Sequence, residues 1–181
     1  MSSKMLQLLA RVGAVAFVAS GVTELAHHQS DPLSSAADYG IEAGFAAGLL
    51  LTLAGLYALH MRQERDVPPF GVWAFRVAFA GQGLLGIVGL ATIFRGQDAL
   101  GPLFPVGVLA WAAGTVVYSV ATARAAVLPR WLAPALAIGT VVAIALNPGG
   151  AIVLGALWLV LATALLGEGR ALRPAAAASA A

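Results

Sequence analysis

The sequence predicts an all-α integral membrane protein, a bundle of six transmembrane helices with both termini on the cytoplasmic side. Three observations carry this reading: 60% of the residues are hydrophobic against 10% charged, the apolar runs recur at bilayer-crossing length, and the basic residues gather in alternate loops. A mean hydropathy of +0.89 over 181 residues lies outside the range of soluble domains. A helix rising about 1.5 Å per residue needs roughly 20 residues to cross about 30 Å of hydrocarbon, and such runs are too long for the strands of a membrane barrel.

The first run covers residues 5–26 and opens after Lys4. Its competing reading is a cleaved signal peptide, with Lys4 and Arg11 ahead of VGAVAFVASGV and small residues around Ser20, which would leave five spans. The second run, 37–61, is announced by Ser35 and Asp38, a pair spaced like a capping box. It carries Gly40, Gly44 and Gly48, a doubled G-x-x-x-G on one face, expected to pack inside the bundle rather than to dimerise. The third run, 71–94, follows a Pro-Pro pair and holds Gly81, Gly83, Gly86 and Gly89, with Gln82 near mid-membrane as an expected interhelical hydrogen-bond donor. The fourth, 103–123, tolerates Pro105 in its first turn and is small-faced through Gly107, Ala110, Ala113 and Gly114. The fifth, 131–146, follows a Leu-Pro-Arg-Trp turn, and the sixth, 150–166, follows NPGG.

Linkers are short and rich in Pro, Gly and Asp, so consecutive helices are expected as antiparallel neighbours in a single domain over 1–170. The small-residue faces imply a tight bundle with little cavity. Residues 171–181, ending in an alanine-rich stretch, read as a disordered cytoplasmic tail.

Orientation follows from the retention of Lys and Arg on the cytoplasmic side. With the N-terminus inside, Lys4, Arg62, Arg65, Arg124, Arg130, Arg170 and Arg173 are cytoplasmic, while the outer loops keep only Arg95. Arg11 and Arg76 fall within the runs near the inner boundary, where they either snorkel to the headgroups or line an inner vestibule.

The absence of cysteine excludes thiol chemistry, disulfides and Cys-ligated metals. A formal charge of +2 made of loop arginines is no nucleic-acid footprint. No cofactor is expected. Neither H-E-x-x-H nor G-x-S-x-G occurs, there is no phosphate loop, and no carboxylate pair lies at mid-membrane depth, so the chain leans away from enzymes.

Polar chemistry concentrates in VTELAHHQSDPLSSAADYGIEAG, residues 22–44, the first outer turn. His27 and His28 close one helix, and Asp38 and Glu42 open the next, as the helix dipole favours. Glu24 opposes the dipole and needs a partner, for which His27 and His28 stand three and four positions ahead. Glu24, His27, His28, Asp38 and Glu42 therefore form a candidate metal or proton site in the outer mouth, against the plainer reading of two helix ends and a turn. His60 ends the second helix a membrane thickness away, which weighs against a bis-histidine haem and makes it an expected interfacial residue.

An echo at an offset of 61 residues relates Tyr57 and Pro68 to Tyr118 and Pro129, too thin to be a duplication. At RAAVLPRW, residues 124–131, the chain resembles small multi-span bacterial membrane proteins that share a basic Leu-Pro-Arg-Trp turn and a small-residue last span. That resemblance implies a bacterial inner membrane and this topology, and no activity. The expected function is a noncatalytic accessory or scaffold that packs against the bilayer, a membrane-protein partner or a second copy. The alternative is a small permease or channel for a cation, proton or small solute, with the outer Glu/His/Asp cluster at its mouth.

Overall fold

In hydrocarbon every backbone N–H and C=O needs an internal partner, and long apolar runs with breakers at both ends meet that demand as helices. The computed structural model describes residues 2–97, 100–146 and 148–171, with side chains described as far as residue 164. The described residues form six helices and no strand: α1 Ser3–Ala26, α2 Ala36–Gln63, α3 Pro69–Arg95, α4 Leu103–Ala125, α5 Leu132–Ala145 and α6 Gly150–Ala171. α1 to α4 are long and apolar enough to cross a membrane, whereas α5, with 14 residues, is shorter. Of the expected tail, Ala171 ends α6 and the remainder lies outside the described residues.

Each helix packs on its neighbours in the chain, and α1 closes the ring against α6. α1 therefore packs along both α2 and α6. The turns α1–α2, α3–α4 and α5–α6 share one end, here termed the histidine end, and the turns α2–α3 and α4–α5 share the other, the arginine end.

Glycine sets how closely the walls approach. A Cβ at Gly44 would lie 2.9 Å from Ser20 Cβ and one at Gly48 would lie 2.6 Å from the Phe17 ring, so the α2 seam faces α1 inside the bundle. Gly40, the third member of that seam, meets nothing within 4 Å. The α3–α4 contact is closer still: a Cβ at Gly81 would collide with the Trp111 amide nitrogen, and one at Gly114 with that of Ala78. Phe17, Leu49, Leu56, Trp111, Tyr118, Leu136 and Trp158 fill the interior.

Gln82 is the interhelical donor the sequence expects, reaching from α3 to Leu49 O and Thr52 Oγ1 of α2, each at 2.8 Å. Arg76 lies exposed on α3 with its guanidinium 4.9 Å above the Trp73 ring, and neither it nor the half-buried Arg11 lines the recesses described below. The echo does not survive as structural equivalence, because Tyr57 is exposed and Tyr118 is fully buried.

Candidate functional site

The α1–α2 turn is built around one carboxylate. Ser35 caps α2 by accepting from the Asp38 amide at 3.1 Å, and Asp38 returns the bond by accepting from the Ser35 amide at 2.9 Å, the reciprocal capping box expected from the spacing. Asp38 Oδ2 also accepts from the Ser34 amide at 2.9 Å and from the Ser30 and Ser34 hydroxyls at 2.7 and 3.2 Å. Its Oδ1 takes the Ser30 amide and His27 Nε2, both at 3.1 Å. Both oxygens are thus occupied by N–H and O–H donors, and Asp38 acts as the internal hub that folds residues 27–35 over the helix end. A second tie, Leu33 N–H to Gly96 O at 2.7 Å, fastens the turn to the left-handed C-cap of α3.

The five residues of the sequence-derived cluster are divided by this arrangement. α1 ends at Ala26 and His27 has extended backbone (φ −139°, ψ 114°), so the helical spacing that would have paired it with Glu24 stops before it. His27 instead turns to Asp38 and to Ser35 Oγ at 3.2 Å. Among the described residues no group of three His, Asp or Glu side chains is placed to hold a metal ion. Glu24 and Glu42 do converge, on a different feature.

That feature is an open recess of about 350 Å³ at the histidine end, to which every helix contributes. Glu24 and Ser20 come from α1, Glu42 and Phe45 from α2, Leu85 from α3, Val108 and Trp111 from α4, Ile144 from α5 and Leu154 from α6. It continues into a shallower recess of about 490 Å³ that also touches Glu24 and Glu42 and adds His28 and Thr92. The tight bundle with little cavity expected from the small-residue faces is therefore open at the histidine end. The cause is the length of α5: its last residues line the same wall as Trp111, which lies eight residues into α4. α5 thus stops roughly 12 Å short of the start of α4, by the helical rise, and the space above it stays open.

The two carboxylates sit at different depths. Ser20 Oγ donates to Ile41 O at 2.7 Å, which sets these residues level across the α1–α2 contact. Glu42 follows Ile41 and Glu24 lies one turn outward from Ser20, so Glu42 is about a turn deeper. Glu42 receives Gln29 Nε2 at 3.1 Å and lies across Gly89, where an added Cβ would be 3.0 Å from its Oε1.

Sequence reasoning missed a second polar cluster at the arginine end. Gln63 Nε2, fully buried, donates to Tyr118 Oη at 2.7 Å and to Thr122 Oγ1 at 2.9 Å. Tyr118 Oη lies 3.3 Å from His60 Nδ1, and the His60 ring stacks on Phe75 with centroids 3.9 Å apart. His60 is buried within the bundle at 7% exposure, because α2 runs two residues beyond the expected end and α3 covers its inner face. A usable signal was present, since His60 and Gln63 are spaced i, i+3 and Tyr118 and Thr122 i, i+4, each pair on one helical face.

No family model, curated protein or solved structure matches this chain. The resemblance at Arg124 to Trp131 thus gains no support beyond the turn itself, in which Leu128 is buried and Arg130 and Trp131 are exposed.

Proposed function

We propose that the protein is a six-span cell-membrane protein with both termini cytoplasmic, and that it binds or passes a small solute at the histidine-end recess without covalent chemistry. The observation that supports this reading is the recess itself, a concave apolar space walled by six helices with a few polar groups at its rim, the usual form of a small-molecule site. Basic residues crowd the opposite end of the bundle, as a cytoplasmic face requires. Apolar α5 and α6 complete the ring, and a span shorter than the bilayer is accommodated by local thinning or by snorkelling of flanking residues. The scaffold reading keeps one observation, the open Gly40 at the end of the seam.

The absence of native cysteine makes the test direct. Single cysteines at Gln97 and Pro148, both exposed, react with an impermeant thiol reagent in intact cells, whereas ones at Asp66 and Val127 react only after lysis. The reverse pattern overturns the orientation. Cysteine at Val108, inside the recess, reacts with a small charged thiosulfonate from the same side as Gln97, and inertness there overturns the recess as a water-accessible site.

A further inference from the structure

We propose that the recess continues below its floor as internal water reaching Gln82 and Thr115, and that the solute it admits is small, neutral and hydrogen-bonding, of the short amide or alcohol class. This rests on the small-solute reading above and deepens it to a ligand class. The deepest residues lining the recess on α2, α3 and α4 are Phe45, Leu85 and Trp111. One turn further in, roughly 4.5 to 6 Å by the helical rise, each of these helices offers a polar group: the Leu49 carbonyl, the Gln82 amide and the Thr115 hydroxyl. Gln82 and Thr115 are 1% and 2% exposed, so this layer lies wholly inside the bundle.

Two oxygens of this layer are left over. Gln82 Nε2 donates to Leu49 O and Thr52 Oγ1, and because a backbone carbonyl only accepts, the amide has one possible orientation. Its Oε1 then has no donor among the described residues, and Thr115 Oγ1 has no hydrogen-bond partner among them either. Deeper in, Gln63 repeats the pattern, with Nε2 bonded to Tyr118 and Thr122 and Oε1 unmatched. An unpaired oxygen in an apolar interior loses its hydration and gains nothing in exchange, and a buried water making about three hydrogen bonds is the usual remedy. The open recess one turn away is the entry. Thr115, Tyr118, Ser119 and Thr122, spaced i, i+3, i+4 and i+7 and all buried, carry hydroxyls down one face of α4 from the recess floor to Gln63. Among the described residues, the buried polar side chains of α2, α3 and α4 below the floor are amides, hydroxyls and the His60 ring, without a carboxylate, ammonium or guanidinium. A charged solute entering that layer sheds water and meets no counter-charge, whereas a neutral N–H or O–H finds an acceptor in Gln82 Oε1.

The decisive experiment uses the full chain in nanodiscs, single cysteines in its cysteine-free background, and three methanethiosulfonates that differ in charge: 2-hydroxyethyl, 2-trimethylammonioethyl and 2-sulfonatoethyl. Labelling is followed by mass. Val108→Cys, in the recess, reacts with the hydroxyethyl reagent and with at least one charged reagent, while Thr115→Cys reacts with the hydroxyethyl reagent and at least about tenfold more slowly with either charged one. Adding Val108→Trp, which fills the recess, slows hydroxyethyl labelling of Thr115→Cys by about tenfold or more, and Leu161→Cys, buried on α6 among apolar side chains, stays unlabelled. A reactive Val108→Cys with an inert Thr115→Cys overturns the internal water and leaves the recess reading standing. Thr115→Cys labelled equally fast by neutral and charged reagents overturns the neutral class. Labelling of Leu161→Cys as fast as Thr115→Cys, or indifference to Val108→Trp, means that the reagent arrives by another route and overturns the inference. An inert Val108→Cys overturns the recess reading and this inference with it. Should Thr115→Cys fail to fold, Thr52→Cys, which lies in the same layer against Gln82, carries the same comparison.

Discussion

Asp38 and Gln63 lie near opposite ends of α2, and both are completely buried, yet they draw their hydrogen bonds from different places. Asp38 is charged and gathers six donors from one turn of chain, all within eleven residues of itself. Gln63 is neutral and reaches across the bundle to side chains 55 and 59 residues away. The histidine end is therefore organised locally, which leaves the interior beneath it free to open into a recess. The arginine end is organised by tertiary contact, which requires it to be closed. Charge is held where local backbone donors can surround it, and neutral amides and hydroxyls serve where only side chains from other helices are in reach.

Removing the hub is the severest way to break this comparison. Asp38→Ala strands the Ser30, Ser34 and Ser35 amides together, and the largest fall in unfolding temperature of any substitution named in this section is expected, with loss of protease resistance confined to residues 27–35. A cut pattern spread evenly over the molecule would show that the turn is not an independent unit.

Next in size are the packing glycines. Gly81→Leu and Gly114→Leu force side chains into backbone on α3 and α4 and are expected to cost at least the roughly 1 to 3 kcal/mol of overpacking. Gly44→Leu, against α1, falls in the same range, and Gly40→Leu, facing open space, is silent in thermal unfolding. A destabilising Gly40→Leu would mean that something covers that position in the membrane, as the scaffold reading requires.

The smallest effect belongs to the arginine end. Tyr118→Phe removes one acceptor of Gln63 and the partner of His60 Nδ1. Interhelical hydrogen bonds in membranes average about 0.6 kcal/mol with a maximum near 1.7, so a loss in that range is expected from denaturant titration in detergent. A Tyr118→Phe cost matching that of Asp38→Ala would erase the distinction drawn between the two ends.

The sequence by itself determined the class of the molecule, the helices to within a few residues, and the capping box at Ser35 and Asp38. Each of these is local: apolar length, breakers and a three-residue spacing act through the backbone of a single segment. It also marked Gln82 as an interhelical donor and the α2 seam as internal, because an amide or a run of glycines in hydrocarbon has few other uses. Only the tertiary structure decided where the polar side chains went. It sent His27 to Asp38 rather than to Glu24, since the chain leaves the helix one residue before the spacing would have paired them. It buried His60 beneath Phe75 and Tyr118, partners that lie 15 and 58 residues further along and that no local pattern joins to it. And it opened the recess, because the void above α5 is set by the difference in length between a 14-residue helix and its 23-residue neighbour α4, a quantity that acquires meaning only when the two stand side by side.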